Sequence, residues 1–373
     1  MEFIADINMP VLEETFGCHG RLVRLEGRRI SRSDLGNADV LLVRSVTQVN
    51  ADLLHGTNVS FVGSATIGTD HLDIGWLEEN DIAWAHAPGC NADAAAQYTL
   101  AMMWLACERL GKDFRRQRVG IIGCGNVGRR LGYLLRVLGI PVMACDPPLQ
   151  AQGKLQLVPM DEVCANSIIS LHVPLTTTGK YPSKHLFDCA RLEALHAGTL
   201  LVNTARGGVI EKSALLAQLR AGHIHAALDV WPHEPCIGPE LLDAVTVATP
   251  HVAGYSREGK RAGTEMIYRA FCDAFGYEEI AQPTANSDRV TINFPAPISV
   301  DETLQRLLDS SCPIARDDAA LRALARVSGC AGDIQFDSLR SDYPERREFK
   351  SHFVSGMGGP LADKLRQLGF RTN

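Results

Sequence analysis

Three side chains, each just past an apolar run, have the chemistry to move a proton beside an anionic substrate: His251, Glu234 and Arg206. His251 closes Ala248-Thr249-Pro250-His251 and is soon followed by Gly254, so a short, constrained segment presents the ring. An imidazole exchanges protons near neutral pH, which suits taking a hydroxyl proton as hydride departs and returning it in reverse. Glu234, in Asp229-Val230-Trp231-Pro232-His233-Glu234-Pro235, would accept a hydrogen bond from that ring and fix its tautomer. A solvated loop carboxylate is the plain alternative, and neighbouring His233 reads as a loop residue of that kind. Arg206, in Val202-Asn203-Thr204-Ala205-Arg206-Gly207-Gly208, could grip a carboxylate through a two-point fork, or simply pair with an acid at the surface.

A second constellation suits a dinucleotide. Gly123-Cys124-Gly125-Asn126-Val127-Gly128 is a G-x-G-x-x-G string directly after the apolar run Val119 to Ile122 and directly before the helical pattern Arg129 to Leu138. Glycines permit the tight turn, and a helix amino terminus offers N–H groups to a pyrophosphate. Asp146 closes the next apolar run, where a carboxylate can hold ribose hydroxyls and repel a 2′-phosphate, which favours NAD over NADP. Pro147 and Pro148 then either stiffen the loop under the adenosine or merely reverse the chain.

These residues need strands and helices to hold them. Phe3 to Ala5, Val40 to Val43, Ser60 to Gly63 and Ile82 to Ala85 are short apolar runs of the kind that form buried parallel strands. A longer pattern from Ala92 to Leu110, apolar nearly all round, predicts a helix buried between two lobes. A second series follows through Val142 to Asp146, Ser167 to Leu171, Thr199 to Asn203, Ala226 to Val230 and Val245 to Ala248. The expected fold class is α/β: two doubly wound parallel-sheet, Rossmann-like lobes plus a small α+β C-terminal domain. The stretch Ala281 to Asp288 reads as a linker; beyond it stand the alternating run Val290 to Phe294 and two helical stretches, Leu304 to Leu308 and Ala319 to Val327.

Composition narrows the partners. The chain has 373 residues, 46% hydrophobic and 21% charged, with a formal charge of −6, so nothing in it would draw nucleic acid or an anionic membrane. An anionic substrate must be held by a few placed groups. Met1 to Pro10 does not read as a secretory signal, and no apolar run approaches membrane-spanning length. The eleven cysteines include no two closer than 17 positions, which removes every C-x-x-C metal or redox signature and leaves no metal site to propose; a reducing cytoplasm fits best.

Gly123 to Gly128, Asn203 to Gly207, Asp229-Val230-Trp231 with Glu234-Pro235, and Pro250-His251 with Gly254 stand in the order and at the spacing of the D-2-hydroxyacid dehydrogenases, and the chain resembles that family. The resemblance implies a catalytic trio of Arg206, Glu234 and His251, and two lobes around a cleft. It further implies NAD as cofactor, contacted by Gly123, Gly125, Asn126, Val127, Gly128, Asp146, Val173, Thr204, Ala205, Asp229 and Gly254. The implied division is a substrate lobe of residues 1–92 and 255–285, a nucleotide domain of 93–254, and a C-terminal domain of 286–373 through which the chain would form a homodimer.

Arg44 to Thr47, Phe61 to His71, Ala87 to Ala92, Cys145 to Pro148 and Gly254 to Lys260 narrow the resemblance to the branch that oxidises a small phosphorylated hydroxyacid, 4-phospho-D-erythronate, on the route to vitamin B6. Ser45, Thr66 and Tyr255 would then contact substrate, although the Ser45 and Thr66 hydroxyls could each instead cap a helix. Arg44 suits a phosphate by charge, or a salt bridge closing the lobes. One departure stands out: the family's arginine just before Gly263 is replaced by Ala262, with Arg261 one place earlier, about 100° around a helix axis. Three other readings share these features: a sister dehydrogenase acting on 3-phosphoglycerate, an NAD-binding corepressor-like regulator, and a C-terminal domain that docks a partner rather than itself.

Overall fold

The computed structural model describes residues 1–153, 156–280, 290–293, 299–328 and 333–373, so the linker expected at Ala281 to Asp288 lies outside the described residues. The chain divides into two compact units, Met1–Asn91 with Ser256–Ser287, and Ala92–Tyr255 with Asp288–Asn373.

The first unit is built on β1 (Glu2–Asp6), β2 (Arg21–Leu25), β3 (Val40–Val43), β4 (Phe61–Ser64) and β5 (Ala83–His86). They form one sheet in the order β2-β1-β3-β4-β5 with every pairing parallel. Successive side chains of a strand face opposite ways, so β3 sends Val40 and Leu42 into one apolar cluster and Leu41 and Val43 into another. The helix Arg257–Phe275 covers the first of these with Ile267, Tyr268 and Phe271. Ser256 caps that helix by accepting from the Gly259 N–H. Strand β2 was not legible: it lies at the sheet edge and reads Arg21-Leu22-Val23-Arg24-Leu25, with both arginines exposed.

The second unit carries β6 (Val119–Ile122), β7 (Val142–Cys145), β8 (Ile168–Leu171), β9 (Leu200–Asn203), β10 (His225–Leu228) and β11 (Val247–Ala248). Their order is β7-β6-β8-β9-β10-β11, again parallel throughout. The strand order reverses between β6 and β8, the place where doubly wound sheets bind ligands beyond the carboxyl ends of their strands. The helix Ala92–Arg109 packs within this unit against the helix Asn126–Val137, burying Tyr98, Leu100, Met102 and Met103.

The C-terminal residues of the same unit form a third sheet, β12 (Val290–Asn293), β13 (His352–Ser355) and β14 (Arg371–Thr372), with all pairings parallel. Among the described residues four α-helices accompany it, Val300–Ser311, Ile314–Ser328, Asp333–Ser341 and Gly359–Leu368, of which the sequence pattern signals the first two.

Candidate active site

The glycine loop leaves β6 at Gly123, whose φ of +93° is a conformation other residues enter only at a cost. A Cβ at Gly128 would stand 2.0 Å from the Gly123 carbonyl oxygen, so the helix Asn126–Val137 seats against the loop only with glycine there. At Gly125 a Cβ would meet nothing within 4 Å, and Gly125 supplies no side-chain cap to the helix it precedes. The N–H groups of the first turn are thereby left facing an open approach, which fits a pyrophosphate. Asn126 and Val127 open that helix. Val173, which follows β8, supplies a methyl 3.0 Å from where a Gly123 Cβ would stand.

Asp146 sits at the end of β7. Its Oδ2 accepts from the Cys124 N–H at 2.8 Å and its Oδ1 from the Leu149 N–H at 3.0 Å. The carboxylate thus ties the glycine loop to the following turn, where Pro147 and Pro148 begin the short helix Pro147–Gln150 that Asp146 caps. The remaining lone pairs of its two oxygens suit ribose hydroxyls.

After β9 the chain is stapled by Asn203, whose Oδ1 accepts from the Ala205 N–H at 3.0 Å and whose amide donates to the Arg206 carbonyl at 2.9 Å. The Thr204 hydroxyl meets that of Thr99 at 2.8 Å. A Cβ on Gly207 would lie 2.1 Å from the Trp231 carbonyl, so the Arg206 turn lies flat on the backbone three residues before Glu234. Arg206 itself is partly exposed, and its Nη1 donates to the Ala205 carbonyl at 2.8 Å.

Glu234 and His251 meet directly: His251 Nδ1 lies 2.6 Å from Glu234 Oε2. The other carboxylate oxygen accepts from the Trp231 N–H at 2.7 Å, and the Trp231 indole donates to the Thr249 carbonyl at 2.9 Å. One tryptophan therefore holds both the loop bearing the carboxylate and the loop bearing the imidazole. Burial pushes the Glu234 carboxyl up, but the charge and hydrogen bond of His251, the charge of Arg340 and the Trp231 N–H together bring it below the ordinary carboxylate range. An ionised carboxylate can only accept, so Nδ1 carries a proton, and in the neutral ring the lone pair is on Nε2.

His251 has a φ of +56°, a left-handed conformation that costs a non-glycine residue about 1–3 kcal/mol. Asp229 holds it there. Fully buried after β10, its carboxylate accepts from the Thr249 hydroxyl at 2.6 Å and from the N–H groups of Val252 at 3.0 Å and Ala253 at 2.9 Å. At about 1 kcal/mol net for each such bond, these offset the strain. Burial pushes the Asp229 carboxyl up, against the pull of His251 and of these donors. Gly254 lies in the turn closed by the Tyr255 N–H on the Val252 carbonyl at 2.8 Å. The Tyr255 ring lies 6.0 Å from that of Tyr343 and has the Arg340 guanidinium 5.6 Å over it.

In the first unit, Ser45 follows β3 and is half-buried. Thr66 follows β4, donates to the Gly68 carbonyl at 3.1 Å and meets the Ser64 hydroxyl at 2.9 Å, which in turn meets His71 Nε2 at 2.8 Å. Arg44 pairs at 3.2 Å with Asp6, a wholly buried carboxylate of this same unit. Arg261 pairs with Glu265 at 2.6 Å one turn along its own helix. Sequence reasoning missed Arg340 and Arg346, which come from the C-terminal segment with no motif around them. Among the described residues no group of His, Cys, Asp and Glu could hold a metal ion, and no helix is long and apolar enough to cross a membrane.

Residues 89–253 match the family model described as D-isomer specific 2-hydroxyacid dehydrogenase, NAD binding domain, and residues 283–369 match one described as a domain of unknown function. The erythronate-4-phosphate dehydrogenase of Marinobacter nauticus is 43% identical over 381 residues, covering 100% of this chain and 99% of its own. That of Salinibacter ruber is 44% identical over 374 residues, covering 96% of this chain and 95% of its own. Among solved structures, the D-lactate dehydrogenase of Aquifex aeolicus with NAD and lactic acid superposes with a TM-score of 0.63 at 21% identity, over 74% of this chain and 96% of its own. The NAD-bound 3-phosphoglycerate dehydrogenase of Entamoeba histolytica gives 0.65 at 21% identity, over 74% and 95%. At such identities these two likenesses establish the fold.

The class defined by this sheet order and this nucleotide-domain match is the NAD-dependent D-2-hydroxyacid dehydrogenases. Within it, the chain belongs to the erythronate-4-phosphate dehydrogenase family.

Proposed function

We propose that the chain oxidises 4-phospho-D-erythronate at C2 to 3-hydroxy-2-oxo-4-phosphobutanoate, with NAD, in the biosynthesis of pyridoxal 5'-phosphate (vitamin B6), using His251 as general base. The observation that carries the catalytic part is the 2.6 Å bond between His251 Nδ1 and Glu234 Oε2. When bound, NAD supplies the acceptor for the hydride leaving C2. The C2 hydroxyl proton passes to His251 Nε2, leaving the carbonyl double bond of the oxo acid. Glu234 holds the tautomer that frees Nε2 and stabilises the imidazolium that forms. The Arg206 guanidinium binds the substrate carboxylate and the oxygen on C2. Ser45, Thr66 and Tyr255 contact the rest of the substrate.

Gly123, Gly125 and Gly128 make the pyrophosphate turn, Asn126 and Val127 its helix end, and Asp146 the ribose anchor. Val173, Thr204, Ala205 and Gly254 line the cofactor path, with Asp229 behind them. The chain assembles as a homodimer through residues 286–373 and works in the cytoplasm, with no nucleic-acid or membrane partner. Light scattering on the intact chain tests the dimer.

NADH formation from erythronate 4-phosphate, compared with unphosphorylated erythronate and with 3-phosphoglycerate, tests the substrate. Preference for erythronate 4-phosphate supports the reading. Equal or better turnover of 3-phosphoglycerate, or silence on all three, contradicts it.

A further inference from the structure

We infer that Arg346, from the C-terminal segment, is a positioning residue for the catalytic loop that carries His251. This rests on the reading of His251 as the general base.

The Arg346 side chain is only 5% exposed, and most of its hydrogen bonds go to backbone carbonyls. Its Nε donates to the Tyr255 carbonyl at 2.8 Å and its Nη2 to the Ala253 carbonyl at 2.5 Å. Its Nη1 reaches the Ala94 carbonyl at 3.3 Å and the Cys312 sulfur at 3.4 Å. The guanidinium carbon stands 4.9 Å over the Tyr98 ring, whose hydroxyl donates to Asp317 at 2.8 Å. Among the described residues no carboxylate pairs with Arg346 directly. Three of its hydrogen bonds go to carbonyls, two of them belonging to the segment that begins one residue after His251.

Asp229 takes the opposite polar edge of that segment. The N–H groups of Val252 and Ala253 point to its carboxylate, while the carbonyls of Ala253 and Tyr255 point to Arg346. An anion on the donor side and a cation on the acceptor side fix residues 252–255 in both position and sense. The ring of His251 inherits its place from that segment, because its own left-handed backbone would otherwise relax. A planar fork reaches two carbonyls at once in a way an ammonium cannot. The region matched as a domain of unknown function thereby enters the catalytic machinery through one side chain.

The test compares Arg346→Gln and Arg346→Lys with Arg366→Gln, which removes a 2.6 Å bond to the Thr372 hydroxyl elsewhere in the C-terminal segment and leaves the loop carbonyls untouched. Rates are expressed per NADH-binding site, so unfolded protein does not count. Misplacing a reacting group by about 1 Å costs up to ~10²-fold. The expected result for Arg346→Gln is a kcat lower by about tenfold or more, with KM and NADH affinity within about threefold, and faster amide exchange in peptides spanning 249–256. Arg346→Lys should recover part of kcat, and Arg366→Gln should match the parent. If Arg346→Gln yields no folded protein, the lysine variant decides by the same two readouts. A kcat within about twofold of the parent in every folded Arg346 variant, or an equal loss in Arg366→Gln, overturns the inference. His251→Asn, run alongside, separates the two ideas: if it turns over normally the base assignment fails, and if it is silent while the Arg346 variants are fully active, only the positioning role fails.

Discussion

Glu234 uses both of its carboxylate oxygens on the site, Oε2 on His251 Nδ1 at 2.6 Å and Oε1 on the Trp231 N–H at 2.7 Å. The carboxylate is therefore fixed before it fixes the imidazole, and each loop depends on the other for its place.

Replacing Glu234 by Gln should lower kcat by about 10- to 10²-fold with little change in NADH binding, the range typical of removing a histidine's orienting partner. Steady-state kinetics with NADH fluorescence titration checks this. A stability effect follows from its lowered carboxyl. A depressed acid stabilises the fold above its unfolded value, 4.5 here, and that contribution fades as pH falls through the folded value beneath it. Urea midpoints should thus show a gap between parent and Glu234→Gln that narrows as the pH falls below 4.5.

Gly125 and Gly128 should respond differently to the same added methyl. Gly125→Ala has open space around its new Cβ and should fold normally, with weakened NADH binding because the methyl blocks the pyrophosphate. In Gly128→Ala the Cβ collides with the Gly123 carbonyl, so thermal stability should fall by the equivalent of about 1–3 kcal/mol as well. Melting curves alongside NADH titrations check both.

Asp146→Ser should shift cofactor preference toward NADP, measured as the ratio of kcat/KM for the two nucleotides. The serine keeps a capping oxygen for the helix Pro147–Gln150, so the cost in stability should stay within about 1 kcal/mol. An unchanged ratio would remove Asp146 from the ribose site.

Asp229→Ala leaves the N–H groups of Val252 and Ala253 without their acceptor inside the protein. Each buried orphan costs about 1–3 kcal/mol, so urea unfolding should reveal a loss of at least that size, accompanied by a fall in kcat.

Much of this arrangement could be read from residue types alone because parallel sheets write themselves as continuous apolar runs. Val40 to Val43, Val119 to Ile122 and Leu200 to Asn203 all lie in strands at those places. The edge strand Arg21–Leu25 carries exposed arginines and gives no such run, and β13 and β14 are too short and too mixed to stand out. In the site, His251 and Glu234 were legible because each follows a strand in a short constrained string. Arg346 was not, since its loop partners are backbone carbonyls, and any residue can offer one. The resemblance offers Asp229 only as a cofactor contact, whereas its three bonds to the His251 segment depend on a left-handed turn that residue types do not encode.

The proton that leaves the C2 hydroxyl must find its acceptor in His251. Single-turnover NADH formation from erythronate 4-phosphate by His251→Asn, with NADH affinity measured on the same preparation, tests it most directly. With His251 as the base, affinity stays intact and the chemical step is slower by about 10²- to 10⁴-fold. A step within about threefold of the parent would contradict it, and would mean that another group takes the proton.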